Sequence, residues 1–320
     1  MNQQHGCCLW IRGDNVKLSR NSRTAVQPGE IAVTSVDLIC CPYDSGRRNW
    51  RCGLGPKRIL QQGAVARIQS GGTGVRLVEI ETQVSYETEL SMVFEAQRQI
   101  AMKVSKAREQ GRLPLVLGGN CNTAVGGASG AGGRLGVIWF DAHGEFCTPE
   151  TTESGFLDGM GLAMMVGRCW RNVLSTVPGF APIPETATAL IGVRDLDLLE
   201  GRDLENSAIT KLRVEDIRAK GVARAFGPFL EKLAREVDQV YLHVDVDVHD
   251  PGEAPANFYN APGGLRADEV REAIAFIGQH VSIAGGGIGS YDPSFDPEGK
   301  TAEIAVGVLE SLVAARGTAC

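Results

Sequence analysis

Four hydrophobic runs in this chain each end in a cluster of polar or ionisable residues. "LVLGG" (115–119) runs into Asn120, Cys121 and Asn122, and "GVIWF" (136–140) into Asp141, His143 and Glu145. "LIGV" (190–193) runs into Arg194, Asp195 and Asp197, and "VYLHV" (240–244) into Asp245, Asp247, His249 and Asp250. Such runs are too short for helices and too apolar for half-exposed strands, so they read as strands buried on both faces. The third of these runs belongs to an expected strand at 187–195, further strands are expected at 32–43, 74–80 and 280–288, seven in all, and helical patterns fall at 55–69, 86–111, 228–239, 266–279 and 302–315. Alternation of this kind predicts an α/β fold: a three-layer α/β/α sandwich around a central, mainly parallel, doubly wound sheet. In open parallel sheets the reactive groups gather at the carboxyl ends of the strands, which is where the unusual residues fall.

A polar lead is expected over residues 1–30 and a single domain over 31–320. The Gly-rich "GGASGAGGR" (126–134) reads as a flexible link too short to divide domains. Charged residues of both signs are interleaved and the net charge is −6. That leaves no footprint for nucleic acid or an anionic membrane, and a small-molecule substrate fits better. No stretch suits a signal h-region or a membrane span, so a cytoplasmic location is expected. The nine cysteines have no framework spacing and no CxxC pair, so each begins as a buried apolar side chain or a surface thiol.

The chemistry concentrates in "DAHGE" (141–145) and "DVD" (245–247). At period two, Asp141, His143 and Glu145 share one side of a strand end, and Asp245 and Asp247 share one side of another. Carboxylates that close raise one another's pKa unless a cation intervenes. Mixed His and carboxylate ligands suit Mn, Fe, Zn, Co or Ni better than Ca or Mg. The bland alternative is solvated loop acids beside a satisfied histidine.

These segments resemble the arginase and agmatinase, or ureohydrolase, family. "LGGNCN" is similar to its Gly-Gly-Asp-His-Ser segment, "FDAHGEFCTPETTESGFLDGM" to its Asp-Ala-His-x-Asp segment and the Ser-Gly-x-x-His-Gly that follows, and "HVDVDVHDP" to its Ser-x-Asp-x-Asp-x-x-Asp-Pro segment. "GLGP" (53–56), "IGVRDLD" (191–197) and "PGGL" (262–265) follow the family order. The resemblance implies a metal-dependent hydrolase of C–N bonds, Mn as the cofactor, and homo-oligomers, trimers or hexamers. It also implies that Asp141, His143, Asp245 and Asp247 hold one ion. The second ion would share Asp141 and Asp245 and add Cys121, where the family has His, and Glu145, where it has Asp. Cys121 would favour a softer ion such as Zn, Fe or Ni, and two altered ligands leave open whether one ion or two bind.

Other departures point to the substrate. Asp158 stands where the family has a proton-shuttling His, and Ser290 where it has the Glu that pairs with the guanidinium. Phe258 and Tyr259 replace Gly-Thr and make the pocket floor bulkier, and Cys147 replaces Asn. Ser154, Asp197 and Glu200 match positions that meet the amino-acid end of the substrate, or serve as a loop and a helix cap. His243 and His249 are expected to support the site without ligating. The resulting expectation is a hydrolase acting on an amidine, guanidino or amide-type small molecule other than arginine. Two alternatives stay open: an enzyme of a specialised pathway with Cys121 as nucleophile in acyl or amidine transfer or cyclisation, and a non-catalytic subunit or regulator.

Overall fold

Eight parallel strands form the central sheet of the computed structural model, which describes residues 35–82 and 88–316. They are β1 (Ser35–Cys41), β2 (Gly74–Glu79), β3 (Leu113–Gly118), β4 (Leu135–Phe140), β5 (Thr188–Ile191), β6 (Thr210–Leu212), β7 (Gln239–Asp245) and β8 (Ser282–Gly289). Their spatial order is β2-β1-β3-β8-β7-β4-β5-β6. Every residue of β3 and β4 is buried, as expected for strands covered on both faces by helices. The described residues belong to one compact unit, and the polar lead expected over 1–30 lies outside them. None of their helices is long and apolar enough to cross a membrane.

The four central strands, in the order β3-β8-β7-β4, end side by side. Their carboxyl ends deliver Cys121, Ser290, Asp245 and Asp141 respectively. Residues far apart in sequence thus reach one rim because parallel strands all point the same way.

Three expectations change. The short strand β6 was not anticipated, since Thr210–Leu212 is only half-buried and carries Lys211. The helix expected over 55–69 is two helices, Gly55–Gln61 and Ala64–Ser70, parted at Gly63 with φ +95°. Most of the supposed flexible link is the helix Thr123–Ala131, almost entirely buried. Its glycines are contact surfaces rather than hinges. A Cβ on Gly126 would stand 2.6 Å from the Gln97 carbonyl oxygen, and one on Gly130 2.3 Å from that of Ala101, both on the long helix Glu89–Glu109.

Gly130→Ala should therefore force two backbones apart and cost about 1–3 kcal/mol of stability. Denaturant unfolding checks this, and an unchanged midpoint would contradict the close approach.

Candidate metal centre and its cavity

Strand β4 ends at Phe140 and the chain leaves the sheet carrying Asp141, which is fully buried. Two donors fix its carboxylate: the Trp139 indole Nε1 at 2.9 Å on Oδ2 and the His143 amide at 2.8 Å on Oδ1. From β7, Asp245 Oδ1 accepts the Asp247 amide at 2.8 Å, so a tight turn over 246–248 replaces the extended strand end expected from the sequence. Asp247 in turn accepts the Ala142 amide at 3.2 Å and the Asn257 Nδ2 at 3.3 Å. His143 aims Nδ1 at both sides, 3.3 Å from Asp141 Oδ1 and 3.3 Å from Asp247 Oδ2.

Cys121 arrives from the loop after β3. Its Sγ lies 2.8 Å from Asp245 Oδ2 and 3.1 Å from Ser290 Oγ. Two ligand sets emerge, Asp141–His143–Asp247 and Cys121–Asp141–Asp245, each with one donor atom per residue within 4.8 Å of the others. Asp141 is common to both.

Glu145 stands outside both sets. The period-two pattern would have pointed it with Asp141 and His143, but its backbone adopts φ +50° and breaks the alternation. Its carboxylate is buried and Oε2 has no hydrogen-bond partner. A buried carboxylate oxygen without a partner is costly unless a proton or a cation meets it. That oxygen, with two clusters of sulfur, nitrogen and carboxylate donors, fits a divalent ion.

The electrostatics lead to the same conclusion. Burial, reinforced by Asp247, raises Asp141 to about 6 even though His143 opposes it. Burial raises Asp158 to about 7 against two backbone hydrogen bonds, from Asn122 at 2.7 Å and Cys121 at 3.1 Å. Burial also drives Glu145, Asp245 and the Cys121 thiol well up, with neighbouring carboxylates adding to each. Burial would lower His143, but Asp247 and Asp141 overcome it and keep the imidazole protonated, while His143 helps hold Asp247 down at about 2. Without an ion, a proton on His143 does the work of a cation.

These residues open onto a cavity of about 710 Å³. His143, Glu145, Asp158, Asp245, Asp247 and Ser290 line it, together with Cys147, Ser154, Asp197 and Glu200. Cys121 does not reach the wall and is fully buried, so it is not open to a substrate as the nucleophile considered above. Glu200 accepts the Phe146 amide at 2.8 Å and the Asp197 amide at 3.4 Å, which ties the 146 loop to the start of the helix Leu198–Glu205. Ser154 is exposed and accepts the Phe156 amide at 3.1 Å.

Phe258 and Tyr259 are not on the floor. They stand at the mouth, 79% and 49% exposed, because Asn257 is anchored inward on Asp247 and on the Ser290 carbonyl (2.8 Å), which turns the next two residues out. Tyr259 stacks on Phe156 with ring centroids 5.8 Å apart. His243 and His249 are buried outside both ligand sets. Burial lowers them to about 3 and about 4, and His243 packs 4.3 Å from the Trp139 ring.

Two residues that organise the site were not singled out from the sequence. Trp139 precedes Asp141 by two positions on a strand, so alternation already put its indole beneath that carboxylate. Asn257, a buried amide inside "APANFY", had only its isolation among apolar neighbours as a signal.

The sequence pattern of the arginase family matches residues 34–315. The chain belongs to the arginase family. It is 31% identical over 291 residues to the arginase of Bacillus caldovelox, covering 87% of this chain and 97% of that protein. Arginase from Bacillus cereus superposes with a TM-score of 0.80 at 30% identity, covering 88% of this chain and 98% of the other. The formimidoylglutamase of Bacillus subtilis shares the fold with a TM-score of 0.72 at 20% identity, over 93% and 96% of the two chains. Arginase-family members are metal-dependent hydrolases of non-peptide C–N bonds, and this chain is an enzyme of that kind.

Stability should report the charge problem. The folded values of Asp141 and Asp158, about 6 and about 7, exceed the roughly 4 of an unfolded aspartate. Their contribution is therefore whole below about pH 4 and is lost as pH rises through 6 to 7. Metal-free protein should melt at a lower temperature at pH 8 than at pH 5, and Mn should flatten that slope. A melting temperature that rises over this window without metal would contradict the assignment.

Proposed function

We propose that this arginase-family enzyme hydrolyses a C–N bond in an amidine, guanidino or amide-type small molecule other than arginine. Position 290 carries this reading. Its side chain is a serine hydroxyl turned onto Cys121, where the family resemblance implies a carboxylate facing the substrate cation. Removing one partner of a buried charge pair costs about 2–5 kcal/mol. That is roughly 30-fold or more in binding.

In this reading Asp141, His143, Asp245 and Asp247 hold a divalent ion, with Cys121 completing a second position that Glu145 borders. The ion supplies Lewis acidity and a nucleophilic water near neutral pH. Mn follows from family membership, and the thiol adds affinity for Zn, Fe, Co or Ni. The protein's own groups do the rest. The Trp139 indole and the Asn257 amide keep Asp141 and Asp247 from rotating. Asp158 is gripped by two backbone amides at the start of the helix Thr123–Ala131 and lines the cavity, so it is the residue assigned to proton transfer. Asp197 and Glu200 leave carboxylates beside the cavity for an amine on the substrate. A cytoplasmic homo-oligomer, trimer or hexamer, is part of the proposal by family resemblance.

Urea release from arginine, measured beside a panel of amidines and alkylguanidines with Mn or Co added, tests the substrate. Arginine should be turned over at least ~30-fold less efficiently than the best panel member. Arginine as the best substrate would refute the proposal. Asn257→Ala should weaken metal affinity by roughly 10–100-fold, as loss of a ligand's hydrogen-bond partner does. Titration calorimetry giving the wild-type affinity would contradict the role given to Asn257.

A further inference from the structure

Ser290 has a conformation that needs explaining. It is one of the few non-glycine residues with positive φ, at +61°, immediately after β8. That backbone is costly for a residue with a Cβ and persists only where the surroundings hold it. Here they do. The Ser290 amide donates to the Gly119 carbonyl at 3.2 Å, and its carbonyl accepts Asn257 Nδ2 at 2.8 Å. The hydroxyl is thereby pointed at Cys121 Sγ, 3.1 Å away.

The proton count sets the direction of that contact. A thiol has one proton, and at 2.8 Å from the Asp245 carboxylate Cys121 donates it there. The Ser290 hydroxyl is then the donor to sulfur. An ion entering the Cys121–Asp141–Asp245 set displaces the thiol proton and leaves this donor in place.

We propose that Ser290 is a positioning residue whose hydroxyl donates a hydrogen bond to the Cys121 sulfur when that sulfur ligates the metal. Its work is done on the ligand and not on the substrate. A hydrogen bond to a thiolate is charge-assisted, and it draws electron density off the sulfur and so off the ion. Hydrogen bonds to ligating sulfurs are an established control on metal sites. A thiolate donates more strongly than an imidazole, and the serine offsets part of that, leaving the ion more electrophilic. This rests on the reading that Cys121 holds an ion.

Cobalt(II) loading tests it with a signal other than activity. The loaded wild type should show a thiolate-to-cobalt charge-transfer band that Cys121→Ser abolishes. Ser290→Ala should move that band to lower energy, because the sulfur lone pairs lose the stabilisation of the hydrogen bond. Ser290→Gly, which relieves the positive φ, should move it equally, separating the hydroxyl from backbone strain. A band of unchanged energy in both serine variants overturns the proposal. Stoichiometric cobalt without a band in the wild type also overturns it, yet leaves the metal-dependent hydrolase standing. Absence of cobalt binding would sink both.

Discussion

Charge compensation in a dry site governs this molecule. Glu145, Asp158, Asp245 and Asp247 are buried along one cavity with Asp141 buried beside them, and His143 makes ion-pair contacts with Asp141 and Asp247. So many carboxylates cannot ionise together in a low-dielectric interior without a cation. The surroundings are arranged to hold them there nonetheless. Backbone amides of Cys121, Asn122, Ala142, His143 and Asp247, an indole and an amide side chain all donate into the cluster. A protein that spends this many donors on fixing anions is built to receive a positive charge.

The sheet order is what makes the arrangement possible. The side-by-side strands β3, β8, β7 and β4 bring Cys121, Ser290, the two aspartates of "DVD" and Asp141 to one rim from four distant parts of the chain. The resulting centre is lopsided. One set offers an imidazole and two carboxylates, the other a thiol and two carboxylates, with Asp141 between them. Imidazole and oxygen ligands suit Mn, whereas sulfur draws softer ions, and the proposal is that the two positions differ in the metals they prefer. Glu145, rotated out of line by its positive φ, borders the centre without joining either set.

Much of this was legible in the sequence because it depends on local patterns. Buried strands ending in acids announce themselves by short apolar runs, and "DAHGE" with "DVD" announces the acidic cluster that the structure gathers around Asp141. What stayed hidden depends on contacts between distant segments or on single backbone angles. The helix Thr123–Ala131 looked like a linker because its glycines, needed for contact with the helix Glu89–Glu109, carry weak intrinsic helix preference. Phe258 and Tyr259 were expected on the floor because nothing local reveals that Asn257 turns inward. Ser290 read as the loss of a substrate contact, since a hydrogen bond to a residue 169 positions away leaves no trace in sequence.

The central claim is that this fold holds a cation between Asp141 and its partners, with sulfur among the ligands. A crystal structure of protein loaded with zinc, with anomalous diffraction recorded on both sides of the metal edge, tests it most directly. The account predicts anomalous density beside Asp141 with Cys121 Sγ at the roughly 2.3 Å of a zinc–thiolate bond. Metal bound only at remote surface sites, with Cys121 still hydrogen-bonded to Asp245, would contradict it.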